Sequence, residues 1–147
     1  MAEWKKTGLK VSSVIYELSD KDEPFGEPEI NEEIYPSAFV RKTAGGFEAE
    51  YEISAEGITD KCALYMGGDT VKMTRAGQVR SELVFEKGKS NSTLYVVSPY
   101  SFDMTITTKA VECEVNEEGA TLWLEYNMCL GGQKRSVKMK IEARGSL

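Results

Sequence analysis

The sequence predicts an all-β protein, a single up-and-down antiparallel barrel of about eight to ten strands. Three observations point there. Apolar residues recur at every second position in most segments, short turn signals separate those segments, and no stretch of useful length carries a helical period of 3.6. The segments follow one another through tight turns, so most neighbours in sequence become hairpin partners. Closing the hairpins into a barrel removes the edges that an open sheet of this many strands would expose.

The elements run as follows. `LKVSSVIYEL` opens the chain as a strand, and residues 19–33 follow as an acidic loop broken by Pro24, Gly26 and Pro28. Residues 34–42 form another strand, in which Pro36 argues for an edge position because proline has no N–H to donate. `FEAEYEI` puts Phe47, Ala49, Tyr51 and Ile53 on one face and Glu48, Glu50 and Glu52 on the other, a strand with one wet side. After Glu56-Gly57, `CALYM` aligns Cys62, Leu64 and Met66. After `GGD`, `VKMTR` aligns Val71, Met73 and Arg75. After Ala76-Gly77, `SELVF` aligns Leu83 and Phe85. `STLYVVS` leads to a Pro99-Tyr100 corner, `FDMTIT` aligns Phe102, Met104 and Ile106, and `VECEV` aligns Val111, Cys113 and Val115. The odd step from Ile106 to Val111 implies a bulge or bend near Lys109. `TLWLEYNMCL` and `VKMKIEA` alternate on either side of Gly131-Gly132, a hairpin signature.

Composition narrows the function classes. At 147 residues the chain is read as one domain, residues 1–147, and no run approaches the roughly 18 apolar residues of a membrane helix. The N-terminal residues lack a secretory pattern, and Cys62, Cys113 and Cys129 are odd in number and show no CxxC spacing, so a reduced cytoplasmic setting is expected. Histidine is absent, which removes Ser-His-Asp and Cys-His chemistry and the commonest transition-metal ligand. Residues 19–33 hold seven acids and one lysine, the whole net charge of -6, and leave 17 acids against 17 bases elsewhere. A neutral body without a basic stripe predicts neither nucleic acid nor membrane as partner. The acidic stretch reads as a solvated loop or as a docking surface or flap.

The run `VKMTRAGQVRSELVFEKGK`, then `SPYSFDMTITT` and `LEYNMCLGG`, resembles the YwiB-like bacterial family of unknown function, small proteins with a calycin-like, lipocalin-like β-barrel. The marks are Arg75-x-Gly77, Phe85 ahead of Lys87-Gly88, the Pro99-Tyr100 corner, Thr108 downstream, and Tyr126 in the penultimate strand. Ala76, Ser98 and Ser101 depart from the serine, threonine and glycine usual there. The resemblance covers roughly residues 39–143 and implies the barrel, with no activity to carry across.

Alternation turns Tyr51, Arg75, Thr108 and Tyr126 toward the interior, with Asp60 in register near the rim. A guanidinium facing inward needs an anion or several acceptors. Two readings stand. Arg75 is closed off at the rim by Asp60, Glu17 or backbone carbonyls. Or Arg75 waits for a small, partly apolar ligand with an acidic group, Tyr51 and Tyr126 helping to hold it, as in barrels that bind an acid head group. The methionines and Cys62 and Cys113 read as core packing. Trp123 points outward and, with Tyr65 or Tyr95, offers a homodimer patch. No pair of carboxylates faces across a cleft, and no cofactor or metal is implied. The expectation is a non-enzymatic ligand-binding barrel, with an interaction or scaffold protein built on a filled barrel as the alternative.

Overall fold

In the computed structural model, which describes residues 3–145, ten antiparallel strands close into one up-and-down barrel. They are β1 (Lys5–Leu18), β2 (Pro24–Thr43), β3 (Gly46–Ala55), β4 (Ile58–Gly67), β5 (Thr70–Ala76), β6 (Val79–Glu86), β7 (Ser90–Val97), β8 (Tyr100–Asn116), β9 (Gly119–Leu130) and β10 (Gln133–Arg144). Each strand pairs with its sequence neighbour, and β1 meets β10 to close the circuit. The expected barrel is therefore the observed one.

The wall is uneven. β2 joins β3 through five residue pairs, Phe39↔Glu50 to Thr43↔Gly46, and β6 joins β7 through two, Val79↔Val97 and Arg80↔Val96. These two weak seams divide the barrel into two sheets, β3 to β6 and β7 to β2, whose inner faces meet. Phe47, Leu64 and Phe85 from one sheet and Leu9, Leu122 and Ile141 from the other are fully buried between them. Each such side chain contributes about 1.5–3 kcal/mol of burial. That apolar interior is what the period-two pattern encodes.

Local chemistry explains the junctions. Gly131 and Gly132 both take positive φ, 57° and 86°, which a two-residue turn matched to strand twist requires and which only glycine adopts without strain. In β8 the pairing with β9 shifts between Thr108 and Ala110, so the bulge falls at Lys109 and turns both Thr108 and Val111 inward. `FDMTIT` and `VECEV` are thus one bent strand.

Three expectations need correction. The acidic stretch is a turn only over residues 19–23; from Pro24 it runs as the first half of β2, hydrogen-bonded to β1. Its residues are exposed on both faces, so no apolar alternation marked it as a strand. Cys113 is exposed although it aligns with Val111 and Val115. The reason is that β7 begins at Ser90, opposite Thr107, so among the described residues no strand pairs with the last part of β8 on that side. Tyr95 is partly buried and packs against the core, on the opposite face of the wall from Trp123.

Candidate functional site

Arg75 lies in β5 beside Cys62 of β4, which in turn pairs with Tyr51 of β3. Its Nε donates to Oδ2 of Asp60 at 2.8 Å, and the Asp60 residue is only 2% exposed. Asp60 also accepts from the backbone N–H groups of Gln78, at 2.7 Å to Oδ1, and of Val79, at 3.2 Å to Oδ2. A buried carboxylate is thus met by three donors, one from the β5–β6 turn itself and one from the first residue of β6. Burial pushes the Asp60 carboxyl up, but the hydrogen bonds from Gln78, Arg75 and Val79 outweigh it and hold its pKa below the ordinary value. The Arg75 side chain is 31% exposed, so its remaining N–H groups reach solvent.

Gly77 completes this arrangement. A Cβ there would stand 1.9 Å from Oδ1 of Asp60 and 2.5 Å from its carboxyl carbon. The Arg-x-Gly signature therefore has a physical reading: the arginine supplies the counter-charge, and the glycine leaves room for the carboxylate that ties the turn down. Of the partners open to Arg75 in the sequence, Asp60 is the one used. Glu17 is engaged elsewhere, accepting from Nε of Arg135 at 3.0 Å and from Gln133 at 3.2 Å.

Tyr51 does not aim its ring at an empty interior. It packs on Tyr35 of β2, ring centroids 4.7 Å apart, where β2 and β3 separate. Burial raises the pKa of both hydroxyls, and Tyr35 also donates to Glu33. The Cys62 thiol is buried and its pKa raised, which makes it a poor nucleophile.

Thr108 and Tyr126 form a second, separate cluster. They are cross-strand partners, 1% and 5% exposed, and the Tyr126 ring meets Phe85 at 4.8 Å across the interior. Burial pushes the Tyr126 hydroxyl up to about 12. The Lys87-Gly88 turn docks on the same place: the Gly88 N–H donates to the Thr108 carbonyl at 2.9 Å, and the Thr108 N–H donates to Lys89 at 3.0 Å. Thr108 Oγ1 and, on neighbouring β7, Asn91 Nδ2 are buried without hydrogen-bond partners among the described residues. The five positions expected to form the site therefore split into two groups, Arg75, Asp60 and Tyr51 in one and Thr108 and Tyr126 in the other. Among the described residues no three His, Cys, Asp or Glu side chains converge on a metal position.

The outer surface holds what the sequence did not mark. Among the described residues no strand pairs with residues 24–38 of β2 on the side away from β1. On that half-strand Phe25, Ile30 and Ile34 are 56%, 74% and 65% exposed. A groove of about 430 Å³ runs along its outer face, where Ile30 and Val14 meet Trp123, Lys138 and Lys140. A second, of about 780 Å³, follows the split between β2 and β3 past Tyr35, Pro36 and Tyr51. Trp123 is outward as expected, 37% exposed with the Lys140 ammonium 5.9 Å from its ring, while Tyr65 is exposed on β4 in the other sheet. The cue available in the sequence was Pro28 and Pro36, which lie within the stretch and suit an unpaired edge.

Comparison with known proteins agrees with the resemblance read from the sequence. Residues 17–141 match the family described as a domain of unknown function (DUF1934). The crystal structure of the YwiB protein from Bacillus subtilis superposes with a TM-score of 0.81 at 21% identity, covering 99% of this chain and 96% of that one. At that identity the likeness is one of fold. No curated protein matches the chain.

Proposed function

Because the chain belongs to the family described as a domain of unknown function (DUF1934), a description that names no activity, we propose a function from this chain's own surface. It is a non-enzymatic interaction protein whose packed barrel supports β2 as a recognition strand. The observation that carries this reading is the half-strand of residues 24–38, which has a neighbour on one side only and displays Phe25, Ile30 and Ile34 to solvent. Unpaired backbone N–H and C=O groups on a sheet edge accept an added strand, with side-chain contacts on either face giving selectivity. The charge of Arg75 is already met by Asp60.

Selection from a library of short extended peptides tests the reading. Wild-type protein is expected to enrich binders that a double Ile30→Lys, Ile34→Lys variant does not retain. Both side chains are exposed, so the variant should fold normally. Enrichment that is indifferent to these two positions would count against β2.

A second reading rests on Thr108 Oγ1 and Asn91 Nδ2, buried and unpaired where β6 and β7 separate. A small, partly apolar ligand with a polar head could satisfy both from inside the barrel. Titration with a fluorescent fatty acid checks it: wild type should bind and Thr108→Val should bind several-fold more weakly. Equal binding by the two proteins would remove this reading.

A further inference from the structure

We propose that the occupant of the β2 edge is an extended, basic segment of another protein, added as a strand along residues 29–35. The inference rests on the strand-addition reading above and names the class of partner. Pro28 and Pro36 bound the usable edge, since neither offers an N–H. The seven residues between them span about 24 Å at roughly 3.4 Å each, enough for a short added strand.

The two faces of this window differ. Pairing with β1 sets Ile30 against Val14, Glu32 against Ser12 and Ile34 against Lys10, all on the outer wall. Glu29, Asn31, Glu33 and Tyr35 oppose Ile15, Ser13, Val11 and Leu9 and so lie on the other face. An added strand with apolar residues on one face and cations on the other would match both.

Charge decides between a basic partner and a second copy. Over residues 19–33 the chain carries seven acids and one lysine. Only two are drawn off by ion pairs from outside the stretch, Glu32 by Lys10 at 3.5 Å and Asp22 by Lys134 at 3.1 Å. Asp20, Glu23, Glu27 and Glu29 have no cation within ion-pair reach among the described residues. Antiparallel self-pairing of the window would put Glu32 against Glu32 at its centre, and like charges directly opposite destabilise a sheet. A basic strand turns the same charges into attraction and faster encounter. The end of β8, which among the described residues also has a paired strand on one side only, displays no large exposed apolar side chain and so lacks the second element of recognition.

The test uses three labelled peptides of nine residues, alternating Lys/Val, Thr/Val and Glu/Val, followed by fluorescence anisotropy, with amide hydrogen exchange to locate the contact. The Lys/Val peptide should bind about tenfold tighter than Thr/Val at 0.05 M salt, and the preference should fade at 1 M, where the screening length is about 3 Å. A Glu29→Gln, Glu33→Gln variant should lose the preference while keeping residual binding, and bound peptide should protect amides within residues 29–35. Equal binding of Lys/Val and Thr/Val overturns the basic partner and leaves strand addition standing. Binding of Lys/Val without protection of residues 29–35, or no binding by any peptide, overturns strand addition itself. A wild-type dimer in sedimentation that Ile30→Lys dissociates would assign the edge to a second copy and overturn the proposal.

Discussion

A guanidinium turned toward a barrel interior demands a counter-charge, and in this chain the nearest one sits fifteen residues upstream on the adjacent strand. Asp60 takes Nε of Arg75 and the N–H groups of Gln78 and Val79, so one carboxylate ties β4, β5 and the β5–β6 turn together. The Gly77→Ala substitution should therefore destabilise the protein by about 1–3 kcal/mol, because the added carbon overlaps the Asp60 carboxylate and must displace it. Urea denaturation of the two proteins checks the value; a neutral result would mean the turn accommodates the methyl group without moving Asp60. Asp60→Asn removes the charge itself and should lower the melting temperature at pH 7 by on the order of 10 °C. The pH dependence has a definite sign. The folded-state pKa lies below the unfolded value of about 4, so the stabilisation is complete above pH 4 and is lost as pH falls through the folded-state pKa. Melting curves of wild type and Asp60→Asn should accordingly converge at acid pH. A gap that stayed constant down to pH 2 would show that the carboxylate's charge is not what stabilises the site.

At the scale of elements, the β6–β7 hairpin is held less by its own ladder than by what its turn and its phenylalanine touch. Only two residue pairs join β6 to β7, whereas the turn bonds to the Thr108 backbone and Phe85 packs on Tyr126 of β9. Phe85→Ala should cost about 3–5 kcal/mol, since a fully buried ring is removed from the meeting point of three strands. Tyr126→Phe should change stability by less than about 1 kcal/mol, because the ring contact survives and the hydroxyl makes no hydrogen bond within the described residues. Chemical denaturation of both variants compares the two. A large loss for Tyr126→Phe would reveal a partner for the hydroxyl. The Lys109 bulge was legible from an odd step in an otherwise even pattern, and the inward aim of Arg75 from alternation with Val71 and Met73. Which acid meets Arg75 was not legible, because Asp60 and Glu17 are equivalent until register is known. The acidic half of β2 was missed for a different reason. Both its faces are wet, so the pattern that marks a half-buried strand never arises.

Taken as a whole, the barrel is two sheets hinged at unequal seams, and its stability should be distributed accordingly. β9 lies between β8 and β10 with Leu122, Leu124 and Tyr126 buried, so its amides have partners on both sides and an apolar cover. Residues 24–38 of β2 have one neighbour, and residues 81–86 of β6 and 90–95 of β7 face each other across an incomplete ladder. Local opening free energies scale with how much packing and hydrogen bonding each segment must break. Native-state amide exchange should then show three tiers: β9 and β10 amides exchanging only through global unfolding, the β6–β7 seam through smaller openings, and the free side of β2 fastest. An edge that is unpaired in the isolated protein must exchange quickly there and slow down when a strand is added. If residues 24–38 were instead as protected as β9 in dilute solution, the edge would already be covered, and lowering the protein concentration would show whether a second copy covers it.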